Sequence, residues 1–237
     1  MNEIRSSEKI GDIVARFPSA ADVFKEYKID FCCGGDRPLN TVIKEQGLSE
    51  EEIIHKINNL FEKIKSTTAL KDKNWLEAPL SELVDHILNT HHAYLHENLP
   101  IISELTTKIM RVHGENHPEL IKVYKLFHTI KMELELHLTK EETLQYPAIR
   151  EYEQSRSEAD LNKAIKIIKE LEDEHTGAGN ILKELREITN EFELPKDACT
   201  TYGLTYTKLQ ELEADLFQHI HLENNILFPR LIALKKH

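Results

Sequence analysis

The sequence predicts an all-α protein: an up-down-up-down four-helix bundle preceded by a small helical N-terminal domain. Three observations carry this. Glycine and proline number only eight each in 237 residues, too few for a fold built on many tight turns. From Pro79 onward, apolar residues recur at alternating steps of three and four, the period of a helix face. A spacing, His-x3-Glu-x5-Pro, occurs twice, as His137-Leu-Thr-Lys-Glu141-Glu-Thr-Leu-Gln-Tyr-Pro147 and as His219-Ile-His-Leu-Glu223-Asn-Asn-Ile-Leu-Phe-Pro229.

In chain order, residues 1–65 read as short helices with clear punctuation. Ser19 ahead of Asp22 resembles a capped start, and Ser49 with Glu52 forms a capping box for the next helix. Pro38 suits a first helical turn and Gly47 a helix end. Between the first two of these helices lies Asp30-Phe-Cys32-Cys33-Gly34-Gly35-Asp36, a loop whose glycines widen the available backbone conformations. Residues 66–78 lack sustained periodicity and read as a linker. Residues 79–237 then hold four long segments: A from Pro79 to about His113 with a kink expected at Pro100, B from Pro118 to Pro147, C from Ser157 to Thr189, and D from Thr200 to about Asn225. Helices of about 25–30 residues run about 38–45 Å, and short connections between them make an antiparallel bundle.

Each segment places one histidine in its apolar seam. In A the seam runs Val84, Leu88, His92, Leu95, Leu99, Ile102; in B it runs Val123, Phe127, Ile130, Leu134, His137, Glu141, Leu144. Segment C gives Leu161, Ala164, Ile168, Leu171, His175, Ala178, Leu182, and D gives Leu209, Leu212, Leu216, His219, Glu223, Ile226. Two of the four seams add a glutamate one turn after the histidine. The A–B and C–D hairpins place their histidines at nearly equal intervals, which suggests two copies of one unit and brings all six side chains to one level. Four imidazoles and two carboxylates inside an apolar core are costly without a partner. A metal pair answers that cost: two histidines for each metal, with Glu141 and Glu223 bridging. Imidazole and carboxylate without thiolate suit first-row metals such as iron, manganese or zinc. Such a site leaves room for an oxo, hydroxo or water bridge or an exogenous ligand.

The formal net charge of −11, with no basic stripe, argues against nucleic acid as a partner. No apolar run reaches the length of a membrane span, and the first residues lack a secretion signal's apolar region, so a cytoplasmic location is expected. Three cysteines do not suggest a disulfide framework. Cys32 and Cys33 read as a functional thiol pair, for redox exchange or for handling iron or nitric oxide, whereas Cys199 reads as structural. Neighbours of the seam are expected to lie apart from the metals: His91 and His221 on other helix faces, in a supporting or surface role, and His96 one step off. Glu142 is expected to be a solvated partner of a lysine. Gly177 and Gly179 beside His175 serve either close helix packing or clearance for a small molecule.

Residues 79–237 resemble the hemerythrin-like di-iron bundle, and the whole chain with its DFCCGG loop resembles the Repair of Iron Centres family. The matching residues are His92 in NTHHAYLHENLP, His137 and Glu141 in HLTKEE, His175 in EDEHTGAG, and His219 and Glu223 in HIHLENNILFPR. The resemblance implies a non-haem di-iron cofactor bridged by glutamate, with an oxo or hydroxo bridge, and damaged iron–sulfur proteins as partners. It implies repair of clusters after nitrosative or oxidative damage, by iron supplied from a labile centre. An oxygen- or nitric oxide-binding sensor, or a reductase of nitric oxide or peroxide, would use the same six ligands, so ligand spacing leaves the question of enzyme activity open. The linker allows the two domains to dock within one chain or across a homodimer.

Overall fold

The computed structural model describes residues 3–66 and 73–235. Among these residues it is helical throughout, with no strand beyond an isolated bridge between Lys9 and Pro38. The chain falls into two compact units, Met1–Leu83 with Ile220–His237, and Val84–His219.

The first unit opens with helices α1 (Ile10–Arg16), α2 (Ala20–Glu26), α3 (Leu39–Gln46) and α4 (Glu50–Ser66). Their apolar faces meet through Ile10, Ile13, Phe24, Leu39, Ile53 and Ile57, all fully buried. Phe17 and Phe61 pack edge to face with centroids 5.3 Å apart, the arrangement favoured by the ring quadrupoles. Ser49 caps α4 by accepting from the Glu52 backbone N–H at 3.3 Å, as expected. Ser19 does not cap α2: its backbone is already helical and its side chain makes no cap bond. Gly47 ends α3 in the left-handed region at φ 66°, where a Cβ would be strained. Of the expected linker at 66–78, residues 67–72 lie outside the described residues. Beyond them the Arg230 guanidinium donates to the carbonyls of Trp75 and Ala78, at 2.7 and 2.6 Å.

The second unit is built on α6 (Ala93–His113), α7 (Glu119–Lys140), α10 (Ile168–Ile188) and α11 (Thr200–Leu222), packed as a bundle. Leu95, Leu99 and Ile102 from α6 join Val123, Phe127 and Ile130 from α7 in one core with Leu182, Leu209, Leu212 and Leu216. These are the seam residues, so the helical periodicity predicts the core directly.

The helices are less uniform than the pattern suggests. Segment A keeps its helix through Pro100; its hydrogen bonding instead widens at a π-turn, π1 (Leu88–His92), preceded by α5 (Leu80–Ile87). Segment B continues past Pro147 as α8 (Tyr146–Ser155), after π2 (Glu141–Gln145). Segment C breaks between α9 (Glu158–Ile165) and α10, and segment D passes through π3 (Glu223–Leu227) into α12 (Phe228–Leu234). The proline of each motif explains two of these turns. Proline has no N–H to give to the carbonyl four residues back, and its ring crowds that carbonyl. A π-turn carries the chain past the mismatch without ending the helix. Each π-turn also shifts the helical phase. Leu144, predicted in the seam, is 57% exposed, while Gln145 is fully buried and its amide N–H donates to the Ala164 carbonyl at 2.7 Å.

No described helix is long and apolar enough to cross a membrane.

Candidate metal centre

Within the second unit, His92, His137, Glu141, His175 and His219 are all buried. They arrive from four different helical segments: His92 ends π1, His137 lies on α7, Glu141 begins π2, His175 lies on α10 and His219 on α11. Their ligand atoms form two groups, His137 with Glu141 and His175, and His92 with Glu141 and His219, each within 4.8 Å. Glu141 belongs to both. Its Oε1 lies 3.2 Å from His137 Nε2, and its Oε2 lies 3.2 Å from His92 Nε2 and 3.8 Å from His219 Nε2. His137 Nε2 and His175 Nε2 stand 3.0 Å apart. Oε1 therefore faces His137, Oε2 faces His92 and His219, and His175 stands against His137.

Glu223 belongs to the first unit. It is fully buried, begins π3, and follows His219 by one turn of a continuous helical segment.

Carboxylates behind two of the imidazoles fix which nitrogen faces inward. His92 Nδ1–H donates to Glu142 Oε1 at 2.9 Å, and His137 Nδ1–H donates to Glu174 Oε2 at 2.8 Å. A carboxylate can only accept, so Nδ1 carries the proton and Nε2 presents its lone pair to the interior. Burial opposes the charge on Glu142, but the hydrogen bonds from His92 and His96 outweigh it and hold that carboxyl below its ordinary range. At Glu174, burial is likewise outweighed by Lys140 and His137. Buried imidazoles with inward lone pairs around a carboxylate, and no thiol among them, form a donor set suited to first-row cations.

Glu142 is thus not a solvated partner of a lysine; it orients His92 and takes the exposed His96 as well, at 2.9 Å. His91 is buried, donates from Nδ1 to Asp215 at 2.9 Å, and stacks parallel to His219 with centroids 5.6 Å apart. The Tyr146 hydroxyl lies 3.3 Å from His92 Nε2. Glu142, Glu174 and Asp215 sit off the helical seams, and their partners lie on neighbouring helices, so periodicity along one helix carries no signal for them. At Gly177 a Cβ would meet nothing within 4 Å. Close helix packing therefore does not require glycine there.

Cys32 and Cys33 lie in the first unit, on the loop between α2 and α3, and both are thiols. The loop is fastened to π3. Asn225 donates from Nδ2 to the carbonyls of Phe31 at 3.2 Å and Cys32 at 3.0 Å. Gly11 and Gly35 make room for that amide: a Cβ on either would collide with the Asn225 side chain. The Gly11 N–H also donates to the Gly35 carbonyl at 2.7 Å. His221 is not at the surface. It is buried near the Phe31 ring, and burial pushes its imidazole down to about 4, so it is neutral at physiological pH. The hydrogen bond with Cys33, then burial and the Asp30 charge, hold the Cys32 thiol above its usual range.

Cys199 departs from its structural reading. It is exposed before α11, and the Tyr202 backbone N–H, followed by the His113 ring at 3.2 Å, draws its thiol down to about 7. Alkylation of Cys199, followed by peptide mass spectrometry, is expected to rise with pH through a midpoint near 7. His113→Ala raises that midpoint without returning it fully to an ordinary thiol's. A midpoint above 8.5 in the unaltered chain refutes the assignment.

Comparison with known proteins places these features in context. Residues 83–231 match the family described as "Hemerythrin HHE cation binding domain", and residues 6–61 match a "Domain of Unknown function (DUF542)". The chain is 34% identical to the iron-sulfur cluster repair protein ScdA of Staphylococcus haemolyticus, covering 96% of this chain and 99% of that one. It is 33% identical to a probable iron-sulfur cluster repair protein of Haemophilus influenzae, over 97% of this chain and 99% of that one. It is also 34% identical to the iron-sulfur cluster repair protein YtfE of Escherichia coli O157:H7, over 95% and 97%.

Proposed function

The chain belongs to the hemerythrin HHE cation-binding family, and on that premise we propose that it repairs damaged iron–sulfur clusters with iron held at this centre. One observation carries the reading: a fully buried carboxylate, Glu141, turns Oε1 toward His137 and Oε2 toward His92 and His219, with His175 against His137. Two iron ions suit that donor set, one with His92 and His219 and the other with His137 and His175. Glu141 would hold both ions, and Glu223, one turn beyond His219, would be the second carboxylate to do so. Similarity along nearly the full length to proteins named for cluster repair supports the role, as does the histidine-rich ligand set.

When bound, the iron pair supplies exchangeable ferrous iron. The chain's own residues hold it in a particular way. Glu142 and Glu174 fix the His92 and His137 rings by their Nδ1 protons, while the apolar seam below the ligands restricts water. We assign the same task to the N-terminal residues 1–65, with Cys32 and Cys33 as thiols that handle iron, and to the bundle of residues 79–237. The partners are iron–sulfur proteins damaged by nitric oxide or peroxide.

The test is to incubate the iron-loaded chain with a [4Fe–4S] enzyme inactivated by nitric oxide or peroxide. Activity is expected to return faster than with the same concentration of free ferrous iron. Equal rates would sink the repair reading.

A further inference from the structure

The Asp30 carboxylate and the Cys32 and Cys33 thiols bring three ligand atoms within 4.8 Å of one another, on the loop between α2 and α3. From this cluster we infer that the loop is a second metal site, holding one thiophilic divalent cation such as Zn²⁺ or Fe²⁺ on Asp30, Cys32 and Cys33.

The spacings fit a shared ion better than they fit a disulfide. The two sulfurs stand 3.9 Å apart, whereas a disulfide needs them at about 2.05 Å, and adjacent cysteines close it only in a strained ring. With metal–sulfur bonds of about 2.3 Å, sulfurs 3.9 Å apart subtend about 116° at a common ion, near the tetrahedral angle. Asp30 Oδ1 lies 3.2 Å from the Cys32 sulfur, and with a metal–oxygen bond of about 2.1 Å the two subtend about 93°. One cation can therefore be shared by the two sulfurs, and by the Cys32 sulfur and the carboxylate, with all three ligand atoms within 4.8 Å of one another.

The donors are held in place before any ion arrives. Asp30 Oδ1 accepts the backbone N–H groups of Cys32 and Cys33, each at 3.0 Å, which folds the two residues back over the carboxylate. Asn225 fastens the same stretch by its two carbonyl contacts, in the pocket that Gly11 and Gly35 leave for it. Cys32 is buried and Cys33 half-buried, while Asp30 is exposed. A cation bound there has three protein ligands and solvent at its fourth position, the arrangement of sites that exchange ligands rather than of closed structural sites. Two thiolates and a carboxylate also select borderline and soft cations over Mg²⁺ or Ca²⁺.

The experiment uses the full chain, iron-loaded and reduced, titrated with Co²⁺ in the absence of oxygen. One equivalent is expected to bind with a thiolate-to-cobalt charge-transfer band, while the iron content by elemental analysis stays constant. Cys32→Ser with Cys33→Ser removes the band. Asp30→Asn keeps the acceptor for the two backbone N–H groups but loses the charge, and weakens Co²⁺ binding at least tenfold. A second reading is independent of colour: one equivalent of Zn²⁺ slows alkylation of Cys32 and Cys33 together. Absence of the band in the unaltered chain, or unchanged affinity in Asp30→Asn, overturns the three-donor site. The titration reads the loop without any repair assay, so its failure and that of the repair reading are separate results.

Discussion

Glu141→Ala is expected to strip the chain of the iron proposed for this centre, because a single carboxylate serves both imidazole groups, through Oε1 toward His137 and Oε2 toward His92 and His219. Purified under conditions that load the unaltered chain fully, the variant should hold less than a tenth of its iron by elemental analysis. Two comparisons grade the effect. Glu141→Gln keeps the shape but not the charge, and should lose nearly as much. Glu142→Gln leaves every proposed ligand in place and loosens the partner of His92 Nδ1 and of the exposed His96. Loss of such a partner costs roughly 10–100-fold in metal affinity, so this variant loads when iron is abundant and releases it faster to a chelator. A full iron complement in Glu141→Ala would remove the shared carboxylate from the account.

Arg186→Ala should produce the largest loss of stability unrelated to metal. Glu213 is only 4% exposed, and its two oxygens are held by Arg186, through Nε at 3.0 Å and through Nη2. Arg186 also reaches Glu191 at 2.6 Å and lies over the Phe192 ring. Removing one partner of a buried pair typically costs about 3–5 kcal/mol, since the other charge is left behind. The Arg186 side chain is 34% exposed, so solvent screening places the expectation at the lower end, about 3 kcal/mol. At about 2–4 °C per kcal/mol for a chain of this size, the Tm falls by about 6–12 °C. Adding Glu213→Leu should recover much of the loss, because the stranded charge is gone. A Tm within 2 °C of the unaltered chain would show that water or another cation already serves Glu213. Iron content should not change in either variant.

Both predictions concern side chains whose surroundings differ in how far they could be read from residue order. Glu141 and the four histidines were legible because a helix repeats about every 3.6 residues, so a polar residue at an apolar position of the seam stands out against Leu, Ile and Val. The same regularity hid Arg186 and Glu213, whose pairing joins α10 to α11. It also misled at Leu144. The π-turn beginning at Glu141 adds a residue to the turn, and the buried position passes to Gln145. Pro147, six residues after Glu141, was the available sign of that turn, and its expected effect was an end or kink rather than a widened turn. Cys199 was misread for a related reason: nothing near it in sequence reveals that His113 lies 3.2 Å from its sulfur.

The residue order by itself determined the helical class, the buried seams and the phase of the histidines on them, because these follow from local periodicity and propensity. It also marked the cysteine loop as unusual. Only the tertiary structure decided which imidazoles share which oxygen of Glu141, and that Glu142 and Glu174 orient two of the rings. It alone placed the Asn225 amide between Gly11 and Gly35, with the cysteine loop hung from it. The physical reason is the range of the interactions. A helix is specified by contacts three and four residues apart, whereas a hydrogen bond between Asn225 and Phe31 spans 194 positions of chain and leaves no period to find.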